Sequence, residues 1–229
     1  MCNLYSLGKG QDEIGKFFRS VKDETGNMPP LPGIFPDMMA PVVRIVDGER
    51  RLSMLRWGMP TPPQFLKLGA IDRGVTNIRN VQSAHWRAWL KPEFRCLVPV
   101  TSFSEPTDEP NTTGKKDWIW FALSEERPLF AFAGIWCTWT GTRGTKKSPV
   151  EGKHQLYGFL TTDANAVVKP IHSKAMPVIL TGKACDAWLA APIEEALAMQ
   201  KAAPDELLRI VTGGDKTGDP SHVAAPPLL

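Results

Sequence analysis

The sequence predicts an α+β fold: one domain with a mixed, mostly antiparallel β-sheet or barrel-like core and helices at its periphery. Three observations carry this. Candidate strands rich in Val, Ile, Phe and Trp recur along the chain and outnumber the segments of helical period. Strand-rich with only peripheral helices is the signature of an α+β protein and not of a doubly wound parallel sheet. With 229 residues, 42% of them hydrophobic and eight of them tryptophan, the chain has enough apolar surface for one substantial core.

In chain order, QDEIGKFFR at 11–19 places Ile14, Phe17 and Phe18 at helical spacing, and the proline- and glycine-rich run 25–36 then imposes a long loop. Strands are expected at Val42–Val46, Leu52–Trp57, Arg95–Val100, Trp118–Leu123, Leu129–Trp139, Leu156–Thr161 and Pro177–Leu180. Helices fit Asp163–Lys169, capped by Thr162 or Asp163, then Lys183–Leu189 and, after the helix-starting Pro192, Ile193–Gln200. The pairs Trp118/Trp120 and Trp136/Trp139 read as core, because strands with alternating bulky residues bury one face. Residues 1–212 form the domain, and 213–229, where Gly, Pro, Asp and Ser accumulate, is expected to be a loose tail.

Composition narrows the function classes. No apolar run approaches 18 residues, and MCNLYSLGKG lacks the basic start and apolar stretch of a secretory signal, so no membrane association is expected. Cys2, Cys96, Cys137 and Cys185 lie far apart with no CxxC pair, which gives neither a zinc knuckle nor a disulfide framework. No metal or organic cofactor is expected. The net charge of +3 permits a phosphate-binding face without identifying one. The DKTG run at Asp215–Gly218 matches the phosphorylated-aspartate motif of ion-pumping ATPases, but the chain lacks their length and apolar spans.

Chemistry concentrates at the amino terminus. Cys2 follows the initiator methionine, whose removal would place an α-amine and a thiol on one carbon. An α-amine titrates at about 7.7–8.0 and a lysine at about 10.4, so roughly a third of the former and about a thousandth of the latter are neutral near pH 7.5. Such an amine forms imines readily. A neighbouring thiol then closes a five-membered thiazolidine, turning a reversible imine into a stable link.

Three further segments place polar groups beside expected strand ends: TNIRN at 76–80, TSFSEP at 101–106 and PIHSKAMPVIL at 170–180. The order Cys2, N-x-R, Phe-x-Glu and I-H-x-x-x-[MP] resembles the SOS-response-associated peptidase family, supported by APVVR at 40–44, RWGMP at 56–60, RCLVP at 95–99 and FAGIW at 132–136. The resemblance spans about residues 2–180. It implies an abasic-site processing protein that cross-links to single-stranded DNA through Cys2, with associated lyase activity, and no metal.

By that resemblance Asn77 holds the Cys2 end and the opened sugar, Glu105 shuttles protons with a pKa raised by partial burial, and His172 delivers a proton to the sugar or assists reversal. Arg79 meets a phosphate, and Arg56 and Trp57 of RWGMP join it on the DNA side. His85 and Trp86, in SAHWRAWLKPEFR, read from the residues alone either as a DNA surface with Arg87, Lys91 and Arg95 or as a half-buried helix with a basic solvent face. A cytoplasmic monomer, nucleoid-associated when bound to DNA, is expected.

The chain departs from the family pattern in three places. Asn3 and Leu4 replace the Gly-Arg that often follows the cysteine. Met59-Pro60-Thr61-Pro62-Pro63 stands where an aromatic wedge often follows W-G, and Pro106 replaces a tryptophan after the site glutamate. Two other functions fit parts of the pattern: an N-terminal-cysteine peptidase with His172 as base and Asn77 as orienting group, and a non-catalytic reader of modified or single-stranded DNA.

Overall fold

The computed structural model describes residues 2–20, 22–67 and 70–220. In chain order, β1 (Leu4–Leu7) leads to α1 (Gln11–Phe18), β2 (Lys22–Asp23), β3 (Leu31–Ile34), β4 (Met39–Val46), β5 (Glu49–Trp57) and β6 (Asn77–Ile78). After α2 (Ala84–Arg87) come β7 (Arg95–Val100), β8 (Ser102–Pro106) and β9 (Trp118–Ala122). The long hairpin of β10 (Phe130–Thr145) and β11 (Ser148–Thr162) precedes β12 (Met176–Pro177), β13 (Ile179–Leu180), α3 (Lys183–Ala190), α4 (Ile193–Leu197) and β14 (Arg209–Val211).

Five strands close a barrel. β11, β10, β7, β4 and β5 are neighbours in that order, each pair antiparallel. β5 then returns alongside β11 in parallel, Leu156 opposite Arg56 and Tyr157 opposite Trp57. Closure removes the exposed edges that an open sheet of this size would present. A second antiparallel sheet, β14-β9-β8-β1-β3, carries the amino-terminal strand.

The two sheets share one aromatic core. Tyr5 of β1 lies edge-on to Trp57, Phe132 and Phe159 at ring separations of 5.2, 5.9 and 6.2 Å, a geometry that matches ring edge to ring face. Its Oη is 2.6 Å from the Oη of Tyr157, so the two buried hydroxyls satisfy each other. β1 is therefore pinned to the barrel at its second residue, three residues after Cys2, and this fixes where Cys2 sits.

Several sequence expectations are corrected here. Residues 163–169 form turns in place of the expected helix: the Asn165 side chain accepts from the Val168 N–H and donates to Ala203 O, and Pro170 cannot continue a helical ladder. The expected loose tail divides at Pro220. Asp219 is buried, accepting from Ser102 Oγ and Arg127 Nε at 2.6 Å each, so residues 213–220 are held against β8; residues 221–229 lie outside the described residues. The expected strands are present, with β10 and β11 running several residues past Trp139 and starting several before Leu156, and with Pro177–Leu180 divided into β12 and β13; β1, β6 and β8 were not expected, nor was β3, which lies within the run 25–36 expected to be loop.

The connection from β5 to β6, which carries Asn77, is clamped by one buried arginine. Arg143 of β10 donates to the carbonyls of Asp72 and Gly58. Its guanidinium lies between Gly58 and Gly74, and a Cβ on Gly74 would fall 2.3 Å from Nη1. Gly74 also has φ +76°, which only glycine adopts without strain. Asp72, buried beneath, accepts from the N–H groups of Thr61 and Gly74 at 3.0 and 2.7 Å. The loop therefore enters β6 along a fixed path.

Candidate functional site

Four elements converge on the chain's second residue. β1 leads out from Cys2; β6 brings Asn77 opposite Phe159 of β11; β8 brings Glu105; and the turn before β12 brings His172. Cys2 is fully buried, its Sγ donating to Leu4 O at 3.6 Å. Asn77 is buried as well and donates Nδ2 to the Cys2 carbonyl and to Thr76 Oγ1, both at 2.8 Å. The first of these contacts links β6 directly to Cys2.

Glu105 is buried because of strand alternation. On β8, Phe103 and Glu105 share a face, and Phe103 packs on Phe121 and Phe132 in the core, so the carboxyl two residues on is drawn inward too. Burial raises its pKa to about 8, opposed by the positive charge of the amino terminus. At neutral pH the group is mainly the neutral acid. Burial also lifts the Cys2 thiol well above its ordinary range, with the Glu105 charge adding to the effect.

His172 faces two carboxyl groups. Its Nε2 is 3.8 Å from Glu105 Oε2, and its Nδ1 is 3.2 Å from Asp108 Oδ1. Burial lowers its pKa, with the amino-terminal charge acting in the same direction and Asp108 against it. A neutral imidazole and a neutral carboxylic acid thus stand 3.8 Å apart, just beyond direct hydrogen-bond distance, two groups with the chemistry for acid–base work.

Other residues singled out by the sequence are placed differently. Trp57 is fully buried, stacked on Tyr157 and Phe159 with its Nε1 donating to Thr76 O, so it supports β6 from within and offers no face to DNA. Arg56 is engaged with Asp37 through the backbone carbonyl at 3.0 Å and the carboxylate at 3.1 Å. Arg79 donates to Thr162 O and Lys174 O at 2.8 and 3.2 Å and pairs with Asp163, so it straps β6 to the segment that carries His172. Arg95 is fully buried, donating to Leu90 O and Trp188 O, which removes it from any phosphate surface.

The 83–95 segment takes the half-buried form. Trp86 is buried, and His85 packs edge-on against Trp86 and Trp89 with Nε2 3.0 Å from Pro60 O. Arg87 and Lys91 are exposed. The loop before β6 does present one aromatic: Phe65 is 74% exposed on a short 3-10 turn that begins at Pro63. Phe65 lies two residues beyond Met59–Pro63, the segment that stands where the family's aromatic wedge often follows W-G.

Sequence reasoning also missed Asp108. It lies three residues after Glu105 in an acidic, proline-containing loop, within the TDEP run that follows Pro106. Among the described residues, no group of three or more His, Cys, Asp or Glu side chains is placed to hold a metal ion, and no helix is long and apolar enough to cross a membrane. A cavity of about 370 Å³ between α1 and α3 shares none of the site residues.

Fold and site together define a closed β-barrel domain with a near-terminal cysteine set beside a buried carboxyl and imidazole. The chain belongs to the SOS response associated peptidase (SRAP) family, whose description matches residues 1–213. A comparison with curated proteins finds no match. Among solved structures, a protein from Bordetella bronchiseptica shares 24% identity at a TM-score of 0.68, covering 91% of this chain and 98% of its own. One from Bacteroides thetaiotaomicron shares 18% at 0.73, covering 98% and 100%. A phage-related protein from Bordetella bronchiseptica shares 16% at 0.65, covering 91% and 92%. At these identities the likeness establishes the fold.

Proposed function

We propose that this chain captures abasic sites in single-stranded DNA as a thiazolidine at Cys2, shielding them during the response to DNA damage. The observation that carries the reading is the grouping of the Cys2 carbonyl, held by Asn77 at 2.8 Å, with a Glu105–His172 pair 3.8 Å apart. The pair supplies acid–base chemistry beside an amino terminus. Loss of Met1 makes Cys2 the terminus and puts amine and thiol on one carbon.

The reaction then follows from these groups. Glu105, the neutral acid, protonates the ring oxygen while the C1′ hydroxyl gives its proton to neutral His172, so the abasic sugar opens to its aldehyde, and His172 returns that proton to Glu105. The Cys2 amine adds to C1′, and Glu105, as the neutral acid, protonates the departing hydroxyl so that water leaves and an imine remains. The thiol adds across the C=N bond, sulfur bonding to carbon and its proton passing to nitrogen. If the imine loses a C2′ proton before closure, the 3′-phosphate departs, which is a lyase outcome.

The thiol's surroundings favour this reading over a cysteine peptidase. A thiol protease needs a thiolate paired with an imidazolium. Here the Sγ contacts Leu4 O, burial keeps the thiol protonated, and the His172 nitrogens face Glu105 and Asp108. A thiol that acts late, on an imine already formed beside it, needs no lowered pKa.

Incubation with an abasic oligonucleotide tests the proposal. Intact mass should show protein without Met1 plus oligonucleotide minus one water, stable to denaturation. An uncleaved amino-terminal tag should abolish the adduct while leaving the fold intact. Undiminished cross-linking by the tagged protein would overturn the imine route, and noncovalent binding alone would leave a reader of DNA.

A further inference from the structure

We propose that Asp108 is the positioning residue of the site: it selects the tautomer of His172 and so aims a basic nitrogen at Glu105. The inference rests on the cross-linking reading for its rate readout, and on geometry alone for the tautomer.

One aspartate engages three consecutive residues of the 171–173 turn. The Asp108 N–H donates to Ile171 O at 2.8 Å. Its Oδ2 accepts from Ser173 N–H and Ser173 Oγ–H at 2.8 and 2.6 Å. Its Oδ1 is 3.2 Å from His172 Nδ1. The other face of the ring edge, Nε2, is 3.8 Å from Glu105 Oε2. Backbone and ring of His172 are thus both set from the β8–β9 loop, three residues from the carboxyl that the ring faces.

The arrangement assigns the proton. The two Ser173 donors hold Asp108 as the carboxylate, with a pKa of about 2, so both of its oxygens are acceptors. A neutral imidazole carries one N–H and one lone pair, and the hydrogen bond made by one nitrogen decides which is which. An acceptor opposite Nδ1 places the proton there and leaves the Nε2 lone pair toward Glu105. Glu105, neutral at pH 7, has a proton to give. The chain Asp108, His172, Glu105 therefore returns and withdraws the proton that imine formation uses, with Asp108 itself never protonated.

Asp108→Asn tests this because it keeps the shape and reverses one half of the group. The amide oxygen stays with the two Ser173 donors, which turns the NH₂ toward Nδ1. That donor occupies the Nδ1 lone pair and drives the proton to Nε2. Long-range ¹H–¹⁵N spectra of the full chain should show His172 as the Nδ1–H tautomer in wild type and shifted toward Nε2–H in the variant. The rate of adduct formation should fall at least about tenfold, within the range of acid–base catalysis, while noncovalent affinity for an undamaged single strand is unchanged.

Ser173→Ala is the second arm. It loosens one of the hydrogen bonds to Oδ2 but leaves Oδ1 opposite Nδ1, so the Nδ1–H tautomer should persist with a smaller loss of rate. This arm stands if Asp108→Asn fails to fold. An Nε2–H tautomer in wild type, or an unchanged tautomer and rate in folded Asp108→Asn, overturns the proposal. If wild type forms no adduct, the functional reading fails, and the wild-type tautomer still decides the role of Asp108.

Discussion

Asn77 donates its amide to the carbonyl of Cys2 at 2.8 Å while its own Oδ1, equally buried, has no hydrogen-bond partner among the described residues. A buried acceptor without a donor is unfavourable by about 1–3 kcal/mol, so its retention points to a donor that arrives with the reaction. In the proposed reaction, the Cys2 amine forming the carbinolamine would be such a donor.

Asn77→Ala therefore removes both the tether of the Cys2 end and this acceptor. The adduct rate should fall about tenfold or more, while the unfolding free energy changes by only about 1 kcal/mol, because loss of two hydrogen bonds is partly offset by loss of one unsatisfied atom. Gel time courses with an abasic oligonucleotide and thermal melts on the same preparation measure the two. Equal losses in both would make Asn77 structural.

Glu105 gives a pH signature whose sign follows from burial. An unfolded glutamate titrates near 4.3, whereas folded Glu105 holds its proton to about 8. Between those values the folded state binds the extra proton, so the stability associated with this group is full below the unfolded pKa and is lost as pH rises through the folded one. Glu105→Gln removes that slope. Its melting temperature relative to wild type should rise from pH 5 to pH 8, while adduct formation slows by about 100- to 10,000-fold. A pH-independent difference in melting temperature contradicts the assigned burial.

Much of this was legible in the sequence, and the gaps have physical causes. The barrel strands read clearly because Val42–Val46 is apolar but for Arg44, and 96–100 and 129–137 carry apolar runs, as strands buried on both faces do. β8 did not read as a strand: SFSEP has a short hydrophobic content and ends in proline, and its place is fixed by pairing with β1 and β9. The four ordered motifs name Cys2, Asn77, Glu105 and His172, which the fold brings together. Composition could not tell an outward arginine from an inward one: Arg79 stays half-exposed and Arg95 is fully buried, each on carbonyls that only the fold brings near. Asp108 was invisible for the same reason: its contact with His172 joins residues 64 apart in sequence and needs the turn before β12 to exist.

The Arg143 clamp makes a stability prediction remote from the chemistry. Gly74→Ala forces a Cβ into the guanidinium at a backbone angle unfavourable for alanine, so the loop that delivers Asn77 must shift. The variant should lose about 1–3 kcal/mol in chemical denaturation, with adduct formation slowed more than stability alone explains. Full stability would show that the loop yields freely.

Arg79 and Phe65 separate phosphate binding from scaffolding. A phosphate contact contributes a slope of about −0.7 in log affinity against log salt for a single strand. Because Arg79 is committed to Thr162 O, Lys174 O and Asp163, Arg79→Ala should leave that slope unchanged and slow adduct formation by loosening the His172 segment. A slope shallower by about 0.7 would return Arg79 to the DNA. Phe65→Ala, removing an exposed ring, should weaken single-strand binding by roughly the 1–3 kcal/mol of a base–aromatic stack and leave the melting temperature alone.

The last prediction divides the two roles of Cys2. Once Met1 is removed, Cys2→Ser keeps the α-amine and so should still form an imine that borohydride traps. Its hydroxyl is a poorer nucleophile than the thiol, so ring closure fails to hold the adduct. Cys2→Ala should behave alike, with an amine and no ring-closing atom. Burial that keeps the native thiol protonated is compatible with this order of events, because the thiol attacks only after the imine has formed beside it and its proton has nitrogen as a destination. With the ring unable to close, the imine persists long enough to lose its C2′ proton, so both variants should nick the abasic strand more than wild type does. A time course with and without borohydride, resolved on a denaturing gel and by intact mass, reads all three outcomes. A serine variant that gives as much stable, unreduced adduct as wild type rules out thiazolidine closure as the means by which this chain holds DNA.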